Sequence, residues 1–419
     1  MPMKDIRKIS ADALLKLFIM VFMFSLSLSA DGAWGLSKND MIRYSVNNGL
    51  PANEVHSVYR DRDGFLWVAT RYGIGFYDGY SFRTFKSDLR SPDLLTSNNI
   101  QCMVEDTHQQ IWFGTQNGIN VLDKKTWTFW HKDLEGIYNK KVSCLLVSRD
   151  GSVWIGTESG LCRYDYDKKS FKLYSGEVTG NVLSGTAIKS LMEDSKGNIW
   201  IGTWSAGLYR YSPSQKRFFS YPKMNWRNSA HVLYEDVKGN IWVGAWDGGL
   251  YLLQHPYDMN RCTWKVFVHE PDNPQSLGDN MVYSIGTDEN TGNIWIGTRS
   301  GLSVLDKDDF SVFYNYHVNH KSDFYFPCRE VNSIVSDASG NMWLGTANSG
   351  LVMVKRNNHF FENFTIDYSN DNILTPSANA IYVDDRNQLW WGLTSQGVMC
   401  MDLDTRMFRH FSSMRSSRT

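Results

Sequence analysis

Between Ala187 and Tyr221 the chain alternates short apolar runs with polar turns. Ala187-Ile188-Lys189-Ser190-Leu191-Met192 is followed by the turn Asp194-Ser195-Lys196-Gly197, and that turn feeds Ile199-Trp200-Ile201-Gly202-Thr203. A second turn ends in Gly207-Leu208, and two more apolar stretches, Leu208–Tyr211 and Arg217–Tyr221, complete the pattern. Each run is too short for a helix, is rich in β-branched and aromatic residues, and is bounded by Gly, Asp, Asn or Ser. This pattern predicts four short strands.

The same order recurs along most of the chain. Ile199-Trp200-Ile201-Gly202-Thr203 returns as Ile294-Trp295-Ile296-Gly297-Thr298, as Val153-Trp154-Ile155-Gly156-Thr157 and as Met342-Trp343-Leu344-Gly345-Thr346. Looser copies are centred on Trp67, Trp112, Trp242 and Trp390, so successive Trp are 45, 42, 46, 42, 53, 48 and 47 residues apart. Four antiparallel strands in roughly 40 to 50 residues make a propeller blade, so the expected fold class is an all-β propeller of four-stranded antiparallel blades. The Gly residues are expected to serve the hairpins, where positive φ is needed, and the Trp to give each blade an apolar plate.

Departures are local: Gln109-Gln110 and Asn387-Gln388 replace Gly-Asn, Ser148 stands where most copies have Asp, and Trp391 and Leu393 break the last motif. Ile42-Arg43-Tyr44-Ser45-Val46 reads as an orphan fourth strand ahead of the first full repeat. Pairing it with the Trp343 repeat closes seven blades over residues 41–355, because strands from both chain ends in one blade remove the open edge. Residues 356–411 then form the first blade of a second, truncated propeller, and 412–419 a polar tail. A single eight-bladed ring is the alternative.

Residues 1–30 differ from the rest. Lys4, Arg7, Lys8 and Lys16 precede the apolar run Leu17–Phe24, and small residues fill Ser25 to Ala30. That order is a secretory signal peptide with cleavage expected near Ser29 or Ala30, or else an uncleaved anchor. Either places the folded part in the periplasm. With 43 Lys+Arg against 44 Asp+Glu, the chain lacks the basic excess that binding nucleic acid requires. The six Cys form no C-x-x-C pair. Cys102, Cys144, Cys162 and Cys400 fall in strand patterns and read as small buried hydrophobes, while Cys262 and Cys328 lie in looser segments that a disulfide could join. No second apolar run has spanning length.

The units D-x-x-G-x-[IL]-W-[IV]-G-T-x-x-G-L resemble the two-component regulator propeller repeat, in phase over most of residues 41–411. The resemblance implies the N-terminal periplasmic sensor region of a hybrid two-component system of the Bacteroides type. Such systems carry two seven-bladed propellers, a β-sandwich, a membrane helix, a histidine kinase, a receiver and often an AraC-type DNA-binding domain. It also implies an oligosaccharide ligand, control of polysaccharide use and a homodimer, with no kinase chemistry in these residues.

If the first strand of each blade is innermost, the turn between strands two and three shares a face with the blade-to-blade connections. The longest of these are Lys86 to Asn98, Glu270 to Asp279 and Asn319 to Arg329. Variable loops on a repeated scaffold commonly carry recognition. On that face fall Arg71, Tyr72, Trp204, Trp246, Asp247 and Arg299. Flat aromatics beside Asp and Arg suit a sugar ring, and the guanidinium groups would favour an acidic one. The plainer alternative is that Trp204 and Trp246 fill the gap between blades and that both Arg are solvated charges.

Other function classes find less support. The Asp of each repeat sits in a turn at the opposite end and reads as a turn former, without the paired carboxylates of a glycosidase. Thr287-Asp288-Glu289-Asn290-Thr291-Gly292 has some likeness to a docking motif of quinone-dependent propeller dehydrogenases, but occurs once and one residue short. The His residues have no metal-ligand spacing, and there is no P-loop or nucleophile elbow. No cofactor, metal or catalytic residue is expected. A protein-binding propeller stays open.

Overall fold

In the computed structural model the Trp200 repeat forms the antiparallel strands Ile188–Glu193, Ile199–Thr203, Leu208–Ser212 and Arg217–Ser220. The structure describes residues 40–88, 95–132, 134, 139–174, 183, 186–221, 229–258, 260–317, 326, 328–355, 378–393, 397–403 and 407–411. The signal-like segment 1–30 and the tail 412–419 lie outside these, as does most of the connection Asn319 to Arg329 and part of Lys86 to Asn98. The described strands build eight four-stranded antiparallel sheets. Each sheet is named below by the repeat Trp in its second strand.

In seven sheets the strands lie side by side in chain order. The Trp343 sheet differs: its fourth strand is Met41–Tyr44, antiparallel to Leu351–Val354, with Met41 opposite Val354 and Tyr44 opposite Leu351. The chain divides into two compact units, Met1–Asn357 and Asn358–Thr419. In the first, seven apolar clusters each join two successive sheets. The one containing Val55, Val58, Val68, Trp343 and Leu351 joins the Trp343 sheet back to the Trp67 sheet. At the same seam the Val58 N–H donates to Ser333 Oγ at 3.0 Å.

Local chemistry explains why the motif folds this way. The seven repeat Trp of the first unit are buried, and each packs its indole against a neighbouring sheet. A large aromatic covers ~150–250 Å², roughly 4–6 kcal/mol of gross apolar burial at ~25 cal/mol per Å². A buried indole N–H needs an acceptor, and the turn Asp six residues earlier supplies it. Trp67 donates to Asp61 at 2.9 Å, Trp112 to Asp106 at 2.7 Å, Trp200 to Asp194 at 2.7 Å, Trp242 to Asp236 at 3.0 Å and Trp343 to Asp337 at 2.8 Å. Where the repeat has Ser148, its hydroxyl accepts from Trp154 at 3.2 Å. The motif Thr closes the next turn, as when the Thr203 hydroxyl donates to the Gly207 carbonyl at 2.7 Å, with Gly207 at φ 94°.

Two expectations need correction. The Gly inside the Trp strand is not a turn residue. A Cβ on Gly202 would collide with Ser190 Oγ of its own sheet and with the Ala230 carbonyl of the next, so this Gly permits close approach of two inner strands. All six Cys are free thiols. Cys262 packs in the cluster between the Trp200 and Trp242 sheets and Cys328 in that between the Trp295 and Trp343 sheets, so the suggested disulfide does not form.

The second unit holds the Trp390 sheet, with strands Ala378–Val383, Gln388–Leu393, Gly397–Asp402 and Phe408–Phe411. Its small core is Trp391, Leu393, Met399 and Met401. Trp390 is only partly buried, although its indole still donates to Asp384 at 2.9 Å.

Candidate ligand-binding rim

In six of the seven sheets of the first unit the inner strand starts with a residue opposite the motif Thr: Val55 faces Thr70, Ile100 faces Thr115, Val142 faces Thr157, Ile188 faces Thr203, Val282 faces Thr298 and Val331 faces Thr346. The register then shifts by one residue. The residue left without a cross-strand partner is His56, Gln101, Ser143, Lys189, Tyr283 or Asn332. His231, just before Val232, takes this place in the Trp242 sheet. A bulge re-aims a side chain, so every sheet of the first unit offers one polar group from its innermost strand. These residues were missed in the sequence reading. Their signal was a polar residue at one fixed phase of an otherwise apolar strand.

A second set lies beside them. The residue after the motif Thr (Arg71, Gln116, Glu158, Trp204, Arg299 or Ala347) donates its backbone N–H to the carbonyl two residues before the bulge residue. Trp204 reaches Ala187 O at 2.9 Å and Arg299 reaches Met281 O at 3.1 Å. Trp246 is anchored instead through its N–H to Ser229 Oγ at 2.8 Å. Bulge residues and turn residues therefore share one end of the first unit.

Aromatic groups gather in one sector of this rim. Trp204 and Trp246 stand with ring centroids 5.5 Å apart at 62°, and each keeps more than a third of its surface exposed, 41% and 37%. Trp246 also meets Tyr283 at 5.5 Å and His231 at 5.3 Å, both edge to face. Lys189 Nζ lies 5.2 Å from the Trp204 ring centre. Asp247 follows Trp246 and is exposed. Arg299 belongs to the adjoining Trp295 sheet. Arg71 and Tyr72 do not join this group: their sheet packs on the Trp343 and Trp112 sheets.

Carboxylates stand beside the cations at this end, and two ammonium groups share one of them. Lys189 is 2.8 Å from Glu158 Oε1, and Lys141 is 3.3 Å from the same oxygen. Burial pushes the Glu158 carboxyl up, but the two ammonium groups outweigh it and hold the group below its ordinary range. Arg299 Nε and Nη2 both lie 3.2 Å from Asp279 Oδ2, which also accepts from Ser300 Oγ at 2.7 Å. Arg71 is 3.3 Å from Glu54, which His56 approaches at 3.2 Å. Neighbouring carboxylates thus engage both guanidinium groups, and each keeps about half of its side chain exposed, 55% for Arg71 and 52% for Arg299. Burial, reinforced by the Lys189 charge, pulls His231 down to about 4, and its Nδ1 is buried with no hydrogen-bond partner among the described residues. Burial raises the Tyr283 hydroxyl to about 12, with Glu330 adding to it.

At the opposite end the repeat Asp groups are engaged by indole and backbone N–H groups, which leaves them as acceptors in a turn. Among the described residues no group of three or more His, Cys, Asp or Glu is placed to hold a metal ion, and no helix is long and apolar enough to cross a membrane.

Residues 49–72, 94–117, 182–205 and 325–348 match the family described as two component regulator propeller. In these four segments the chain is similar to the two-component regulator propeller repeat. Segments 49–72, 94–117 and 182–205 each run from the connection before an inner strand, through the bulge residue and the Trp strand, to the turn on the rim. Over 191 residues the chain is 27% identical to histidine kinase P4 of Formosa agariphila, covering 42% of this chain and 13% of that protein. The extracellular domain of the hybrid two component system BT3049 from B. thetaiotaomicron superposes with a TM-score of 0.67 at 22% identity, covering 89% of this chain and 49% of that one. A streptogramin B lyase superposes with a TM-score of 0.57 at 13% identity, covering 75% and 96%. The chain thus spans less than half the length of both two-component relatives. The two structural likenesses, at these identities, speak for the fold.

Proposed function

We propose that this chain is the extracytoplasmic ligand-sensing region of a two-component regulator, and that its rim binds an oligosaccharide to control polysaccharide use. In this reading residues 41–355 are a complete seven-bladed propeller and 356–411 open a second one. The observation that carries it is the Trp204–Trp246 corner, two half-exposed indoles from adjacent sheets beside the polar bulge residues Lys189, His231 and Tyr283. Sugar rings have an apolar face for an indole and a hydroxyl rim for such donors and acceptors. The repeat family and the signal-like start support the sensor role and a periplasmic location.

The test is calorimetric titration of the whole chain against a glycan panel, with each sugar followed for turnover. Trp204→Ala and Trp246→Ala are each expected to weaken binding about tenfold or more, as buried aromatic anchors do, with the unfolding midpoint unchanged. Wild-type affinity in both variants removes the site assignment. Product formation replaces the sensor with a propeller enzyme.

A further inference from the structure

At the end opposite the rim, a groove of about 390 Å³ lies beside the Trp154 sheet, within the size range of small-molecule sites. Three turns bound it: Thr107–His108 of the Trp112 sheet, and Asp150–Ser152 and Asp165–Asp167 of the Trp154 sheet. Ser148, in place of the usual turn Asp, shapes it. In the Trp200 sheet Asp194 accepts both the indole and the N–H four residues on. Ser148 accepts only the Trp154 indole, and the Ser152 N–H turns to Asp150 Oδ1 at 3.0 Å, which also takes the Ser148 hydroxyl at 2.6 Å. Asp150 Oδ2 then meets Arg163 Nη2 at 3.1 Å. A Cβ on Gly151 would stand 3.4 Å from Thr107 Oγ1, so the turns of the two sheets touch here. Tyr166 reaches across to the Trp112 sheet: its hydroxyl donates to Asp106 Oδ2 at 2.6 Å, and its ring stacks on the exposed His108 ring, centroids 4.4 Å apart at 32°. Arg163 and Lys172 are cross-strand partners, a like-charge pair that Asp150 offsets. With Lys168 3.9 Å from Asp165, three cations accompany the three carboxylates Asp150, Asp165 and Asp167, and neither sign prevails.

We propose that this groove is a second carbohydrate site, for an uncharged mono- or disaccharide, separate from the rim and independent of it. The stacked His108 and Tyr166 rings give the apolar face of a sugar a flat surface. Arg163 spends Nη2 on Asp150 and Ser152 and keeps further N–H donors, since a guanidinium has five. Asp165 Oδ1 takes the backbone N–H groups of Asp167 and Lys168 at 3.1 Å each, which leaves Oδ2 to accept a hydroxyl. A polyol suits such a lining because each hydroxyl both donates and accepts, whereas a charged ligand gains from one set of groups and is repelled by the other. The Trp242 sheet serves as an internal contrast. There Tyr257 makes the same reach, to Asp194 at 2.9 Å, but the residue opposite the repeat Trp is the fully buried Leu252 in place of Arg163, so the donor wall is missing.

The experiment follows hydrogen–deuterium exchange of the whole chain with cellobiose, xylobiose, galactobiose, glucosamine and galacturonate. A neutral disaccharide should slow exchange over residues 106–110 and 163–172, and should do so equally when Trp204→Ala and Trp246→Ala together remove the rim corner. His108→Ala should weaken that sugar about tenfold by loss of the ring contact, and Lys172→Ala about threefold or more by loss of a charged donor. Both side chains are exposed, and Lys196 and Lys238 hold the place of His108 in other repeats, so both variants should fold. Stronger protection by glucosamine or galacturonate than by any neutral sugar overturns the proposal. So does protection that both groove variants leave unchanged, that the rim variant abolishes, or that no sugar produces. Protection of the groove with none at residues 204 and 246 supports this site and counts against the rim reading alone.

Discussion

Asp194 shows how much one turn residue can hold. It is fully buried, and its carboxylate accepts from the Trp200 indole at 2.7 Å, the Lys196 and Asn198 backbone N–H groups at 2.9 and 2.8 Å, the Asn198 amide, and the Tyr257 hydroxyl of the next sheet at 2.9 Å. Removing the acceptor strands buried donors, which costs more than the bonds are worth net. Asp194→Ala is therefore expected to lower stability by roughly 3 kcal/mol, read by urea denaturation, and Asp194→Ser by less, since Ser148 already plays this part for Trp154. A loss under ~1 kcal/mol would show that water takes over the acceptor role. The sequence spacing identifies the turn. The second task, capping an indole, becomes visible only when six-residue Asp–Trp spacing is set against a buried Trp, because burial is what makes the N–H need a partner.

At the level of the strand, the motif Gly separates two causes that sequence alone merges. Positive φ requires Gly207, whereas Gly202 has ordinary strand geometry and is required by its neighbours. Gly202→Ala pushes a methyl into Ser190 Oγ and the Ala230 carbonyl, an overpacking that costs about 1–3 kcal/mol. Gly392 holds the equivalent place in the Trp390 sheet, where a Cβ would meet nothing within 4 Å among the described residues. Gly392→Ala should change stability by no more than ~0.5 kcal/mol. Equal effects of the two substitutions on chemical denaturation would refute the close-approach account. The bulge residues are likewise an element-scale feature. Their polar phase is written in the chain, but a one-residue register shift is what turns that phase toward the rim.

Over the whole first unit, the sheet order and the orphan strand were legible because each sheet repeats one pattern and Met41–Tyr44 has no repeat of its own. The charge pairing of the rim was not, since Arg299 and Asp279, or Lys189 and Glu158, are distant in sequence and meet only across turns. The seam between the Trp343 and Trp67 sheets gives the last prediction. Arg43 Nε donates to Ser349 O at 2.7 Å, Tyr44 stacks on Trp343 at 5.7 Å, and its hydroxyl lies 3.1 Å from that of Tyr77 in the Trp67 sheet. One short strand thus touches both the last and the first sheet. Deleting Met41–Tyr44 would bare the edge of Leu351–Val354, where Leu351 and Val352 are fully buried. An open apolar edge recruits other strands, so the deletion should lower the melting temperature and produce concentration-dependent oligomers on size-exclusion chromatography. An unchanged midpoint and an unchanged elution volume would mean that side-chain packing between the Trp343 and Trp67 sheets holds the seam without this strand, and the weight of closure would shift to Val55, Val58 and Leu351.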